Sequence, residues 1–329
     1  MSNKALVTGA AGFIGKHVVQ TLLDAGWDVE GYDLSPKPRG LECAWQTADI
    51  LDEDVLAKAM RGKTTVFHLA ARAHLFAHDP AIFETINHQG TRTALRAARA
   101  AGVEHLMVTL SAAALTPIGF KGQITAQMPR PPIKSLAGPY AASKWRADQA
   151  LDDVDASDLR VTRLFPTVPI GPGDNAFTAP TQMIRMFVTK PPPAILQTTL
   201  NLVPVQDIAA AHLRAAERAD TGQTNQDRRY LLAGERWPLS ELLVLLESKT
   251  GKAMPNKQIP YGAALMAACI SEPLARLRRK DSLATREGVR LASADPIFDT
   301  TYTQTMLDWH PAAIEPALDA LLAWLDDPS

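Results

Sequence analysis

Tyr140 and Lys144 stand four residues apart in the run Tyr140-Ala-Ala-Ser-Lys144, inside a stretch predicted to be helical from Pro139 to about Leu151. That spacing places a phenol and an ammonium one turn apart on one helix face, where they can touch. A tyrosine titrates near 10 when unperturbed, and a neighbouring positive charge favours phenolate, bringing a proton donor or acceptor towards physiological pH. Taken alone, the pair is also what a surface helix carries by chance. Ser111 closes the apolar run His105 to Ser111, and a hydroxyl at the carboxyl end of such a strand can hold a carbonyl oxygen beside the phenol. A second pattern opens the chain: Gly9, Gly12 and Gly15 link the first apolar run to a helix. Glycines let a backbone approach a pyrophosphate closely, and free N–H groups at the helix N-terminus meet its charge. The spacing differs from G-x-G-x-x-G, and glycines also mark ordinary tight turns. Asp33, 18 residues beyond Gly15 at the end of the second strand-like run, offers a carboxylate that can accept both hydroxyls of a ribose. An acid there repels a 2′-phosphate, so NAD is expected over NADP, with Lys37 and Arg39 pulling the other way. Its competing reading is a turn residue in the polar run DLSPKPRG.

These groups need a scaffold that brings them to one place, and the pattern of the first half supplies it. Strand-like KALVTG, DVEGYD, TVFHLAA, HLMVTLS and RVTRLF alternate with helical stretches at about Phe13–Ala25, Asp52–Arg61, Phe83–Ala101 and Pro139–Leu151. Repeated strand–helix units imply right-handed crossovers and a parallel sheet covered on both faces. The expected fold class is therefore α/β, a doubly wound parallel sheet of Rossmann type with a smaller, discontinuous C-terminal substrate lobe. Residues 1–165 form the nucleotide domain, 203–220 return to it through a helix from Ile208 to Ala219, and 166–202 with 221–329 form the lobe. The lobe is expected over the carboxyl edge of the sheet, where open α/β sheets bind ligands.

Composition excludes several alternatives. The 329 residues carry 34 Lys and Arg against 35 Asp and Glu, so there is no global charge for gripping nucleic acid, and the expected partner is a small-molecule substrate. Cys43 and Cys269 are too few for a disulfide framework or a thiolate zinc site, and MSNKALVTGA lacks a secretory apolar core, which points to the cytoplasm. The most lipid-like stretch, Tyr261 to Ile270, is too short to span a bilayer. His74 and His78 lie four apart near Asp79 with no third ligand at helix spacing, so no metal site is expected; His68, on a buried strand, reads as a satisfied core histidine.

Taken in order, VTGAAGFIG, Asp33, Asp49-Ile50, FHLAA (Phe67 to Ala71), Asn87 with Gly90-Thr91, Ser111, PYAASK and Val205-Gln206-Asp207-Ile208-Ala209 resemble the extended short-chain dehydrogenase/reductases over most of the chain. The resemblance implies an NAD-binding enzyme. Gly9, Gly12 and Gly15, with Phe13 and Ile14 between them, would carry the pyrophosphate, Asp33 the adenosine ribose, and Asp49 with Ile50 the adenine. Leu69, Ala70 and Ala71 would line the cofactor, with Pro166 and Val168 beyond the sixth strand. Asn87 would organise the active-site backbone or a water, although its amide equally suits a helix start. Tyr140 would be the catalytic acid/base, Lys144 its electrostatic partner and a ligand of the nicotinamide ribose, and Ser111 the carbonyl holder. A homodimer packed through the helices Phe83–Ala101 and Pro139–Leu151 is a further implication.

Two departures narrow the branch. Dehydratases of nucleotide sugars resemble one another in a Thr-Asp-Glu run where this chain has Ser111-Ala112-Ala113, and alanines can neither remove nor deliver a proton. Sugar-nucleotide epimerases follow the sixth-strand Arg with Asn-Val-Tyr-Gly-Pro, where this chain has Pro166. The run Pro166 to Asp174 and the tail from Leu283 through Phe298-Asp299-Thr300 to Leu307-Asp-Trp-His-Pro311 resemble instead the 3β-hydroxysteroid dehydrogenase, dihydroflavonol reductase and hopanoid-associated epimerase-like group. The expected activity is an NAD-dependent alcohol/ketone interconversion on a ring or lipid-like substrate. A nucleotide-sugar epimerase with retained NAD is the alternative, and a non-catalytic nucleotide sensor a third reading. Tyr261 to Leu277 would cap a greasy pocket, make peripheral membrane contact, or be one more buried helix. Ala112 to Gly138 reads as a lid or a plain surface excursion, and the basic run Arg276 to Lys280 as a solvated helix end.

Overall fold

The computed structural model describes residues 3–152, 159–219, 228–279, 282 and 284–327; Lys280 and Leu283 lie outside the described residues. Its centre is a seven-stranded, all-parallel sheet in the order Arg229–Leu232, Arg160–Pro166, His105–Thr109, Thr65–His68, Lys4–Thr8, Asp28–Asp33, Ala44–Thr47. Strand Lys4–Thr8 pairs with Asp28–Asp33 on one side and Thr65–His68 on the other, so the chain's direction of winding reverses there. A crevice opens at that switch point, at the carboxyl ends of the strands, and the glycine loop follows directly.

Both faces are covered. One core layer, with Leu56, Met60, Leu95, Leu106 and Leu151, holds the helices Glu53–Met60, Gly90–Ala101 and Pro139–Gln149 against the sheet. The opposite layer, with Val18, Leu22, Phe67, Ile208 and Trp309, seats Phe13–Asp24 and Val205–Ala219. Local chemistry sets the helix ends. Asp52 accepts from Val55 N at 3.2 Å and caps its helix, and Gly102 at φ 71° closes Gly90–Ala101 in the left-handed conformation that glycine favours. The helix expected from Phe83 to Ala101 is interrupted by a π-helical stretch, Glu84–Gln89, which carries Asn87.

Two sheet strands escape the hydrophobic pattern. Ala44–Thr47 is an edge strand of half-exposed residues, and Arg229–Leu232, inside the stretch assigned to the lobe, pairs with Arg160–Pro166 at the other edge. The lobe has its own core around Ile184, Phe187, Leu242, Leu246, Leu318 and Leu321. It is organised by a three-stranded sheet, Glu235–Pro238, Thr199–Pro204 and Val168–Ile170.

The excursion Ala112 to Gly138 is neither a free lid nor a loose surface loop. Gln123–Ile124 pairs with Ile297–Phe298, Arg229 Nε donates to Ala126 O at 2.6 Å, Trp145 Nε1 donates to Pro131 O at 2.8 Å, and Arg130 reaches Asp148 at 3.0 Å. Helix Tyr261–Leu277 also departs from the buried reading: only Ala264, Ala268, Glu272 and Ala275 are buried. Among the described residues no helix is long and apolar enough to cross a membrane, and no group of three or more His, Cys, Asp or Glu is placed to hold a metal.

Candidate active site

The glycine loop is built by close backbone approach. A Cβ on Gly9, which sits at φ 70°, would lie 2.5 Å from Ala70 N, and one on Gly15 would lie 2.0 Å from Gly9 O. Only glycine fits either position. Helix Phe13–Asp24 starts at Gly12 with no side-chain cap, so its first N–H groups are left for an anion. Phe13 is buried against His17, and Ile14 packs on the core, so both anchor the loop from beneath. Asp33 lies beside it. Its Oδ2 accepts from Ala11 N at 3.0 Å and its Oδ1 from Ser35 N at 2.9 Å, which fixes the carboxylate at the strand's end. Asp49 is exposed beyond the next strand, whereas the Ile50 side chain is buried against Gly90. Leu69 N and Ala70 N both donate to Thr8, drawing the Leu69–Ala71 stretch against the glycine loop. These residues together fit a dinucleotide: an uncapped helix end, a glycine cradle and an acid in one crevice.

Four strands along, the chemistry-bearing groups converge. Ser111 follows strand His105–Thr109, its Oγ accepts from Ala113 N at 3.2 Å, and its hydroxyl lies near enough to the Tyr140 phenol to favour the phenolate. Lys144, buried below, donates from Nζ to Thr109 O at 2.8 Å. The geometry corrects one expectation. Burial pushes the Tyr140 phenol up, the Ser111 hydroxyl pulls it down, and Glu287 pushes it up further. Burial also lowers Lys144 to about 8. With burial the leading influence, the phenol stays protonated at neutral pH.

Asn87 is not a helix cap. From the π-helical stretch its Nδ2 donates to Ser143 Oγ at 2.9 Å and to Arg72 O at 3.2 Å, while its Oδ1 accepts from Arg72 N at 2.7 Å. Ser143 Oγ donates to Tyr140 O at 2.7 Å, which completes a chain of bonds from the segment after strand Thr65–His68 to the tyrosine's own turn. His68 is satisfied on both sides, by Thr8 at 2.8 Å and Thr91 at 3.3 Å, and burial lowers it to about 3. His74 Nε2 lies 3.1 Å from Ala176 O. Pro166 ends the sixth strand of the chain's nucleotide half, buried, and Val168 starts the small lobe sheet, so the pair sits at the hinge between the two.

One functional residue had no signal in the sequence. Glu287, 3 % exposed, reaches across from helix Arg286–Leu291 and accepts from Tyr140 N at 3.1 Å and Ala141 N at 2.8 Å. It serves as the cap that helix Pro139–Gln149 lacks locally, since Gly138 offers no side chain. Burial raises it to about 7. At the other end of the helix, fully buried Asp148 accepts from Arg130, Arg163 and Arg229 at 3.0–3.2 Å.

Residues 5–232 match the NAD dependent epimerase/dehydratase family. The chain is 32% identical over 334 residues to a protein of Synechocystis sp. (strain ATCC 27184 / PCC 6803 / Kazusa) provisionally named dihydroflavonol 4-reductase, covering 99% of this chain and 96% of that one. It is 26% identical to sterol demethylase protein B of Methylococcus capsulatus (strain ATCC 33009 / NCIMB 11132 / Bath), over 97% of both. The crystal structure of gox2253 superposes with a TM-score of 0.83 at 28% identity, covering 100% of this chain and 99% of that one. With the cradle, the acid and the hydroxyl pair in place, the chain belongs to the NAD dependent epimerase/dehydratase family, the extended short-chain dehydrogenase/reductases, and is an oxidoreductase that uses NAD.

Proposed function

We propose that this enzyme interconverts a secondary alcohol and a ketone on a ring or lipid-like molecule, with Ser111, Tyr140 and Lys144 as its working residues. The observation that carries the reading is the neighbouring pair of hydroxyls, Ser111 and Tyr140, beside the buried Lys144 and flanked by Ala112 and Ala113. Two hydroxyls can grip one carbonyl oxygen; the alanines supply no second acid or base for eliminating water. Bound NAD supplies or accepts the hydride at C4 of its nicotinamide ring. In reduction the Tyr140 O–H bond would break and its proton pass to the substrate oxygen as the carbonyl carbon is reduced; in oxidation the phenolate would take that proton back. A phenol raised by burial is protonated at neutral pH, which suits donation to a ketone. Lys144, at about 8, remains an ammonium there and holds the end of strand His105–Thr109 in place.

Support for the substrate class comes from the names of the relatives, a dihydroflavonol reductase and a sterol demethylase component, and from Pro166 in place of the epimerase asparagine. Asp33, with its carboxylate fixed beside the glycine loop, supports NAD over NADP. Replacing Tyr140 with Phe is expected to leave NAD binding nearly intact and to cut turnover by about 10²–10⁴-fold, the usual worth of a positioned acid/base. Undiminished turnover removes the assignment. Hydroxysteroids, triterpenoid alcohols and sugar nucleotides, screened for net NADH formation, separate the readings: net NADH marks a dehydrogenase, and a sugar nucleotide inverted without net NADH marks an epimerase.

A further inference from the structure

Helix Tyr261–Leu277 is built inside out. Two of its polar residues, Glu272 and Ser271, turn inward: Glu272, 4 % exposed, accepts from Arg286 N at 2.6 Å and from Arg286 Nε at 2.7 Å, and Ser271 Oγ donates to Ala284 O at 2.8 Å. The nine exposed residues along the helix are all Gly, Ala, Met, Cys, Ile, Pro or Leu. Met266, Ile270, Leu274 and Leu277 are 66%, 71%, 40% and 82% exposed, at spacings of four, four and three that line them up on one face. Only ten large hydrophobic residues are exposed among the described residues, and four of them form this stripe. Scattered exposed leucines need no explanation, whereas a contiguous apolar stripe on a surface marks an interaction site.

We propose that this face docks on the surface of an anionic lipid bilayer. The charge around the stripe selects that occupant. Its C-terminal end carries Arg276, whose guanidinium stands 5.7 Å over the Phe76 ring, and then Arg278 and Arg279, both exposed and without an ion pair among the described residues. The helix's acidic group, Glu272, is buried and neutralised by Arg286. An apolar face about 25 Å long that ends in arginines is how an interfacial helix lies at the headgroup boundary. Nine exposed residues of small or moderate size fall well short of the roughly 20–30 per side that a stable protein dimer uses. The face is also mechanically close to the chemistry. Glu272 holds Arg286, and the next residue, Glu287, caps the helix bearing Tyr140 and Lys144.

The test is sedimentation of the full-length protein with vesicles of phosphatidylcholine alone or of phosphatidylcholine mixed with phosphatidylglycerol. The mixed vesicles are expected to carry the protein down, the neutral ones far less, and added salt to weaken the association. Ile270→Glu, at an exposed position, is expected to reduce binding at least about tenfold with an unchanged thermal midpoint. Arg278→Ala with Arg279→Ala is expected to reduce it roughly 30-fold, about fivefold for each arginine, on the mixed vesicles only. The proposal is overturned by failure to sediment with either vesicle, by equal sedimentation with both that neither variant alters, or by a concentration-dependent dimer that Ile270→Glu dissolves. No readout uses a substrate, so its failure leaves the alcohol/ketone reading standing, and loss of that reading leaves the docking face intact.

Discussion

Replacing Glu287 with Gln tests whether a carboxyl group from the lobe holds the catalytic helix as an acid or as an anion. In the folded protein burial raises Glu287 to about 7, against an ordinary 4.5, even though two backbone N–H groups pull it down. At about 1.4 kcal/mol for each pH unit, that difference corresponds to on the order of 3 kcal/mol. The folded-state value lies above the unfolded one, so the group's contribution is fully present below about 4.5 and is lost as pH rises through about 7. Gln cannot ionise and keeps one carbonyl acceptor, so it carries a constant loss of about 1 kcal/mol, the usual worth of a cap, with no dependence on pH. Urea unfolding of both proteins from about pH 4.5 to 8 should therefore show the wild type losing ground to the variant by on the order of 3 kcal/mol. Taking the difference removes the titrations common to both chains. A difference that stays flat, or that moves in favour of the wild type as pH rises, refutes the reasoning. The pull of the helix end and its two N–H groups would then outweigh burial.

Gly15→Ala drives a methyl group against Gly9 O, which as backbone cannot swing aside. Overpacking of about 1–3 kcal/mol predicts a roughly 5- to 150-fold weaker NAD affinity by calorimetry, and unchanged affinity would show that the loop does not form the cradle. Asp148→Ala strips the buried Arg229 of its carboxylate, while Arg130 and Arg163 keep only the more exposed Asp152. Breaking a buried ionic cluster from one side costs about 3–5 kcal/mol in denaturant unfolding, and a loss below about 1 kcal/mol would show the arginines re-pairing elsewhere.

What could be read from the sequence was what is local. Gly9, Gly12 and Gly15, and the four-residue step from Tyr140 to Lys144, lie within a turn or two of each other, and their geometry follows from helix and loop periodicity alone. The sheet was legible where a buried strand sits in a longer apolar run, as in Thr65–His68 and His105–Thr109. Edge strands Ala44–Thr47 and Arg229–Leu232 were not: the first is half-exposed along its length, and the second stands between the charged runs Asp227-Arg228-Arg229 and Glu235-Arg236. Glu287 acts 147 residues from Tyr140, and in the run Arg286-Glu-Gly-Val-Arg nothing distinguishes a buried cap from a solvated charge. Where the Lys144 ammonium settles was illegible for a related reason: the helical step sets where it can go, while the Thr109 carbonyl on a separate strand accepts its hydrogen bond. Helix Tyr261–Leu277 shows that an apolar composition does not say which side of a helix meets the core.

The reach of Glu287 also bears on how much of the chain the chemistry needs. The match to the family model stops at residue 232, yet the group that meets the first peptides of the tyrosine helix comes from beyond it. A fragment cut at that border would retain the nucleotide crevice and all three reacting side chains. It would still present two amide hydrogens with nothing to receive them, at the root of the one helix whose register has to hold.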